Sequence, residues 1–188
     1  MVFLLSVPLL ISPVAAWGLQ THQTIASQTY YSLPIAVQHH LNLNEMKKGS
    51  IVPDVTFKDG YQQVYPKSVT PAQLWLNRGK AAYKAKNYNY ASYCFGVASH
   101  YISDTYSAPH CILGETNEQH GAYEVQGLSM TPIVVYRPGE SVKSLLSYGY
   151  KQGQIDWKYW IKTRNPRTTQ IDLNHAGSAA YTLIRNYI

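Results

Sequence analysis

Cysteine is scarce in this 188-residue chain: Cys94 and Cys111 are the only two, and no C-x-x-C pair occurs. This excludes a disulfide-stapled scaffold and a zinc or redox site built from cysteine pairs. Charge is sparse too, at 14% of residues, but 45% are apolar, so the chain is neither disordered nor of low complexity. Strand-like alternation, internal repeats and an interdomain linker are all lacking. The longest apolar run, Val2–Ile11, falls short of the roughly 20 residues that a membrane-crossing helix needs. The length suits a single domain with one sizeable core.

Residues 1–16 carry no charge. The apolar run has the length of a signal-peptide core, and Val14-Ala15-Ala16 supplies small residues for cleavage after Ala16. No Lys or Arg precedes the run, which departs from the usual leader. The expectation is a cleaved signal peptide over 1–16, a secreted protein, and a mature domain over 17–188 that begins Trp17-Gly18. The net charge of +6 is uneven, because residues 137–188 hold eight basic and three acidic side chains. Such a tail fits an anionic partner: a phosphate ester, a lipid headgroup or nucleic acid.

The remainder reads as helices joined by loops, an all-α domain. Thr21 caps a first helix that stops before Pro34, and Pro34 opens a second that runs to about Met46. Gly49–Thr70 reads as loop. Thr70-Pro71 makes an N-cap and first-turn pair for a third helix. Asn87–Ser107 is amphipathic, with Tyr90, Cys94, Val97, Tyr101 and Ile102 near helical spacing. Helices over Asn117–Met130, Ser141–Thr163 and Thr169–Ile188 follow, with an irregular stretch at Val134–Gly139. Trp75, Trp157 and Trp160 read as packing residues.

Two pairs stand out for chemistry: His100 with Asp104, and His120 with Glu124. A spacing of four puts both members on one helix face, about 5–6 Å apart at Cβ, where they can converge on one ion. Composition alone gives roughly 0.4 such pairs by chance. His110 lies just past the helix end and can fold back toward the same cluster.

These residues carry a resemblance. Trp17 at the expected mature N-terminus, His22, Asp54 in Gly-Ser-Ile-Val-Pro-Asp, the His100-x3-Asp104-x5-His110 stretch and His120-x3-Glu124 resemble the zinc-dependent phospholipase C family. The S1/P1-type single-strand nucleases are its relatives. The resemblance implies an all-α bundle with up to three zinc ions at the bottom of a cleft. One zinc would take the Trp17 α-amino nitrogen and carbonyl, His22 and Asp104. A second would take Asp54, His100 and the bridging Asp104. A third would take His110, His120 and Glu124. An α-amino group titrates near 7.7–8, so it can shed its proton for a metal where a lysine cannot. An uncleaved or extended N-terminus is expected to lose that metal.

One ligand departs from the pattern. The family supplies a further His between Asp54 and His100, and this chain has none from residue 41 to 99. Gln62 or Gln63 is positioned to fill the slot, with an amide that binds zinc more weakly than imidazole. His39 and His40 are remote alternatives that read as helix-packing residues. Cys94 and Cys111 flank the His100–His110 stretch, and in an exported protein they form either a bridge or two separate thiols.

The implied function is phosphodiester hydrolysis of phospholipid headgroups by a zinc-activated water, with Asp54 accepting or orienting its proton. A single-strand nuclease is the alternative. It is disfavoured because Thr105-Tyr-Ser-Ala-Pro-His110 lacks the Gln-Pro-Leu-His type of segment associated with nucleases. A non-catalytic, zinc-stabilised binding protein is the third reading, motivated by the missing His. The expected partner is a phospholipid or other phosphodiester, with peripheral membrane contact, and the expected state is a monomer.

Overall fold

The structure is a computed structural model that describes residues 17–188; the expected leader and its cleavage point lie outside the described residues. Eight α-helices and no strand occur among them. They are α1 (Leu19–Ser32), α2 (Ile35–Gln38), α3 (Leu43–Gly49), α4 (Val69–Lys84), α5 (Tyr88–Asp104), α6 (Asn117–Gly127), α7 (Val142–Thr163) and α8 (Pro166–Tyr187). The all-α expectation holds.

Helix α5 is the axis of the fold. From Cys94 to Asp104 every one of its residues is buried, and α1, α3, α4 and α8 all pack against it. A helix apolar on all sides belongs in a core, and Phe95, Val97, Ala98, Tyr101 and Ile102 supply that surface. Its polar residues, Ser99, His100, Ser103 and Asp104, are buried with them. Burial of polar groups costs free energy unless partners are provided, and the site described below provides them.

Contact between α3 and α5 is unusually close because two glycines face each other's backbones. A Cβ on Gly96 would lie 2.1 Å from the Met46 carbonyl oxygen, and one on Gly49 would lie 2.2 Å from that of Tyr93. Only residues without a Cβ allow this crossing. It carries Ser50, the residue after Gly49, directly over His100.

Several expected boundaries move. The helix expected from Pro34 to Met46 is two helices, because Asn42 breaks it: its side chain accepts from the Asn44 and Glu45 amides and starts α3 anew. Helix α4 begins at Val69 rather than after Thr70, and Ser68 at the cap position pairs its hydroxyl with Thr105 instead of capping. Helix α8 starts at Pro166, capped by Asn165, three residues earlier than Thr169. The 49–70 stretch read as loop holds a π-turn at Pro53–Phe57 and a 3-10 turn at Gly60–Gln62. Helix α5 stops at Asp104, short of Ser107, and α6 stops at Gly127, short of Met130. Ser141 caps α7 through a capping box, so the helix proper starts at Val142, and Val134–Gly139 is irregular as expected.

The two cysteines are separate, buried thiols. Cys94 sits on the inner side of α5, whereas Cys111 packs on Gly153 of α7 and points its thiol at the Thr105 and Ser107 carbonyls. Trp157 and Trp160 stack on each other and meet Tyr123 edge-on or tilted, while Trp75 packs on Phe57 and Tyr93.

Candidate metal centre

Two elements converge on the C-terminal half of α5. His100 and Asp104 project from it one turn apart, His22 arrives from α1, and Asp54 arrives from the π-turn. Asp104 is the hub: its Oδ1 lies 3.2 Å from His22 Nε2 and its Oδ2 lies 3.1 Å from His100 Nε2. Asp54 faces the same two imidazoles, with Oδ1 3.4 Å from His100 Nε2 and Oδ2 3.9 Å from His22 Nε2. The two rings stack with centroids 4.0 Å apart. Ligand atoms of His22, His100 and Asp104 lie within 4.8 Å of one another, close enough to share one metal ion.

Backbone and hydroxyl partners fix which nitrogen faces inward. His100 Nδ1 lies 2.8 Å from the Ser50 carbonyl, which can only accept, so Nδ1 carries a proton. The Ser103 hydroxyl donates to the His100 carbonyl at 3.0 Å and lies 3.2 Å from His22 Nδ1. A hydroxyl has one proton to give, so His22 Nδ1 is the donor in the second contact. Both histidines therefore turn Nε2 toward the carboxylates, as ligand histidines held by supporting hydrogen bonds do.

The inward atoms are left without hydrogen-bond partners. His22 Nε2, His100 Nε2, Asp54 Oδ2 and both Asp104 carboxylate oxygens are buried and unbonded in this sense. Such a concentration of orphaned donor atoms costs several kcal/mol in a core that lacks a compensating charge. The residues thus fit a divalent cation.

Burial, with the nearby charges of His100 and His110, pushes His22 well below its usual range, so it is the neutral ligand form. Burial also raises Asp104 to about 6, against the opposing pull of His100. Burial would lower His100, but Asp104 and Asp54 outweigh it and raise it to about 10. Both members of the His100–Asp104 pair are pulled upward, and the shared direction is the physical one: two carboxylates facing each other hold a positive charge between them. A metal ion competes for that position with the proton.

The second group lies alongside. His110, in the 3-10 turn Ala108–Cys111, meets His120 of α6 with ring centroids 5.1 Å apart. His120 Nε2 is 2.9 Å from Glu124 Oε1, one turn on, and its Nδ1 is 3.6 Å from Glu115. Burial, then His120 and His100, lowers His110 to about 3, and burial raises Glu124 to about 7 against the pull of His120. A cleft of about 630 Å³ opens over this group, lined among others by Lys58, Tyr61, Gln63, His110, Leu113 and His120.

Trp17 is anchored rather than merely adjacent. Its buried indole donates 3.1 Å to the Ser103 carbonyl, packs on Tyr123 at 5.5 Å, and occupies the space left by Gly127, where a Cβ would come within 2.9 Å of the ring. Of the two glutamines, Gln63 is the buried one (2% exposed), and its amide donates 2.9 Å to Asp54 Oδ1. His39 and His40 are exposed; His40 stacks on Tyr88 at 4.6 Å and plays no part in the cluster. Ser50, Ser103 and Glu115 were not legible as site residues. Only the position of Ser103, between His100 and Asp104, hinted at it.

The geometry coincides with a family match: zinc-dependent phospholipase C, over residues 21–169. The chain belongs to this family. No curated protein matches the chain. The match spans every helix from α1 into the start of α8 and takes in all the residues of both histidine groups. The family is zinc-dependent, and the buried His22/His100/Asp104 cluster has the ligand atoms to hold a metal ion.

Proposed function

We propose that the protein is an exported zinc-dependent phosphodiesterase that releases the phosphorylated headgroup of phospholipids. The carrying observation is the set of buried, unbonded ligand atoms on His22, Asp54, His100 and Asp104, linked through the Gln63–Asp54 hydrogen bond to a cleft that Gln63, His110 and His120 line, within a phospholipase C-family domain. His22, Asp104 and the Trp17 amino and carbonyl groups would hold one zinc. Asp54, His100 and Asp104 would hold a second, with Gln63 beside it in place of an imidazole. His110, His120 and Glu124 would hold a third. Zinc in these positions supplies Lewis-acid polarisation of phosphoryl oxygens and lowers the pKa of a coordinated water toward neutrality.

The chain's own residues do the rest. Asp54 divides its oxygens between two tasks: Oδ1 is held by the Gln63 amide, while Oδ2, without a donor, is free to accept the attacking water's proton. Asp104 and His100, locked by Ser50, keep the ligand geometry fixed as that proton moves. Lys58 at the cleft offers a positive charge to the phosphodiester.

Asp54→Asn tests the assignment. Turnover of a short-chain, water-soluble phosphatidylcholine should fall by roughly a thousandfold or more, in keeping with loss of a general base. Helical content and most of the bound zinc should remain. Full activity in the variant overturns the role of Asp54; mononucleotide release from single-stranded DNA by the parent protein, without any phosphatidylcholine cleavage, overturns the substrate.

A further inference from the structure

Two large exposed side chains, Leu113 and Tyr61, stand at the mouth of the cleft. Leu113 is 99% exposed, on the loop between the Ala108–Cys111 turn and α6. Gly114 follows it at φ 87° with no atom within 4 Å of a would-be Cβ, so the loop tip projects clear of the domain. Across the same cleft Tyr61 is 72% exposed, with the Lys67 ammonium over its ring. Leu113 and Tyr61 thus put two large exposed side chains at the entrance of one cleft.

The outward charges around this rim are two lysines and one glutamate, Glu118 in the first turn of α6. Lys58 and Lys67 are exposed. Two further acidic residues face inward: Asp59 Oδ2 receives the Tyr101 hydroxyl at 2.5 Å, and Glu115 lies 3.6 Å from His120 Nδ1. An apolar tip, an amphipathic tyrosine ring and two lysines on long stems form the combination that suits the boundary between lipid headgroups and acyl chains.

We propose that this rim docks on the surface of a phospholipid bilayer, with Leu113 and Tyr61 entering the interface on either side of the cleft mouth and Lys58 and Lys67 meeting headgroup phosphates. The choice of lipid as partner rests on the phosphodiesterase reading. Docking in this pose places the cleft opening against the headgroup layer, so that a lipid reaches the site without leaving the membrane.

Vesicle co-sedimentation tests it, with the zinc-loaded full chain in the Asp54→Asn background to keep the lipid intact. The vesicles are phosphatidylcholine, with and without phosphatidylserine. Adding Leu113→Glu should weaken partitioning at least about tenfold, the scale expected for withholding one leucine from an apolar phase. Phosphatidylserine should strengthen binding through Lys58 and Lys67. Ile155→Glu, at an exposed apolar residue of α7 that does not line the cleft, should leave binding unchanged. Equal losses in the two variants, or no vesicle binding by the parent, overturn the proposal; so does single-stranded DNA binding in place of vesicle binding. Hydrolysis of the water-soluble lipid by the wild-type chain is read separately, so failure of the chemistry is distinguishable from failure of docking.

Discussion

The Ser103 hydroxyl lies 3.2 Å from His22 Nδ1, joining two residues 81 positions apart. Because the same hydroxyl donates to the His100 carbonyl, it can only accept from His22, and this selects the tautomer whose Nε2 lone pair faces Asp104.

Ser103→Ala removes that selection without removing a ligand. Outer hydrogen-bond partners of metal-binding histidines carry roughly 10–100-fold in affinity. Zinc affinity, measured by competition with a chromophoric chelator, should fall by at least about tenfold, while thermal stability changes by only about 1 kcal/mol. Unchanged affinity would mean that packing alone orients the His22 ring.

The residues that meet at this site were legible because their spacing is local and distinctive. His100, Asp104 and His110 sit on or just after one helix, and His120 with Glu124 on another, so periodicity alone pairs them. The union of His22 and Asp54 with that helix is long-range and came only through family resemblance. What stayed hidden depends on backbone approach and on single hydrogen bonds. The Ser50 carbonyl has no sequence signature, and the choice of Gln63 over Gln62 follows from which face of the 3-10 turn is buried. The break at Asn42 was missed because a capping side chain competes with apolar periodicity that reads straight through it. Even the cysteine pair depended on three-dimensional placement, since Cys111 is drawn to α7 by Gly153.

The glycine crossing of α3 and α5 makes a second prediction. At Gly96 an added methyl would meet the Met46 carbonyl oxygen at 2.1 Å and the Ser50 nitrogen at 3.0 Å, both backbone atoms that cannot rotate away. Gly96→Ala must push α3 outward, costing about 3 kcal/mol and withdrawing the Ser50 carbonyl from His100 Nδ1. Denaturant midpoint and zinc content should drop together. Gly121→Ala in α6 meets no atom within 4 Å and should be neutral or slightly stabilising. Equal behaviour of the two variants would show that the crossing is not tight.

A third prediction concerns a buried acid behind the metal centre. Asp172 of α8 accepts the Tyr123 hydroxyl at 2.5 Å and hydrogen-bonds Asp156, which Gln152 holds at 3.0 and 3.2 Å. Burial, reinforced by Asp156, pushes Asp172 well above the usual carboxylate range, despite the opposing Tyr123 hydrogen bond. In the folded protein Asp172 therefore keeps a proton that the unfolded chain releases near pH 3.9. Between those values the folded state binds more protons, so stability is full at low pH and declines as pH rises, by up to about 1.4 kcal/mol per unit. In Asp172→Asn the amide oxygen still accepts from Tyr123 and the amide nitrogen donates to Asp156, with no proton to lose. The variant should match wild type in thermal midpoint near pH 4 and exceed it by a margin that widens toward pH 8. Taking the difference between the two proteins cancels the titration of the histidine cluster, which they share. A margin that stays constant across this range would mean that Asp172 is ionised in the folded state, with its charge balanced by some other group.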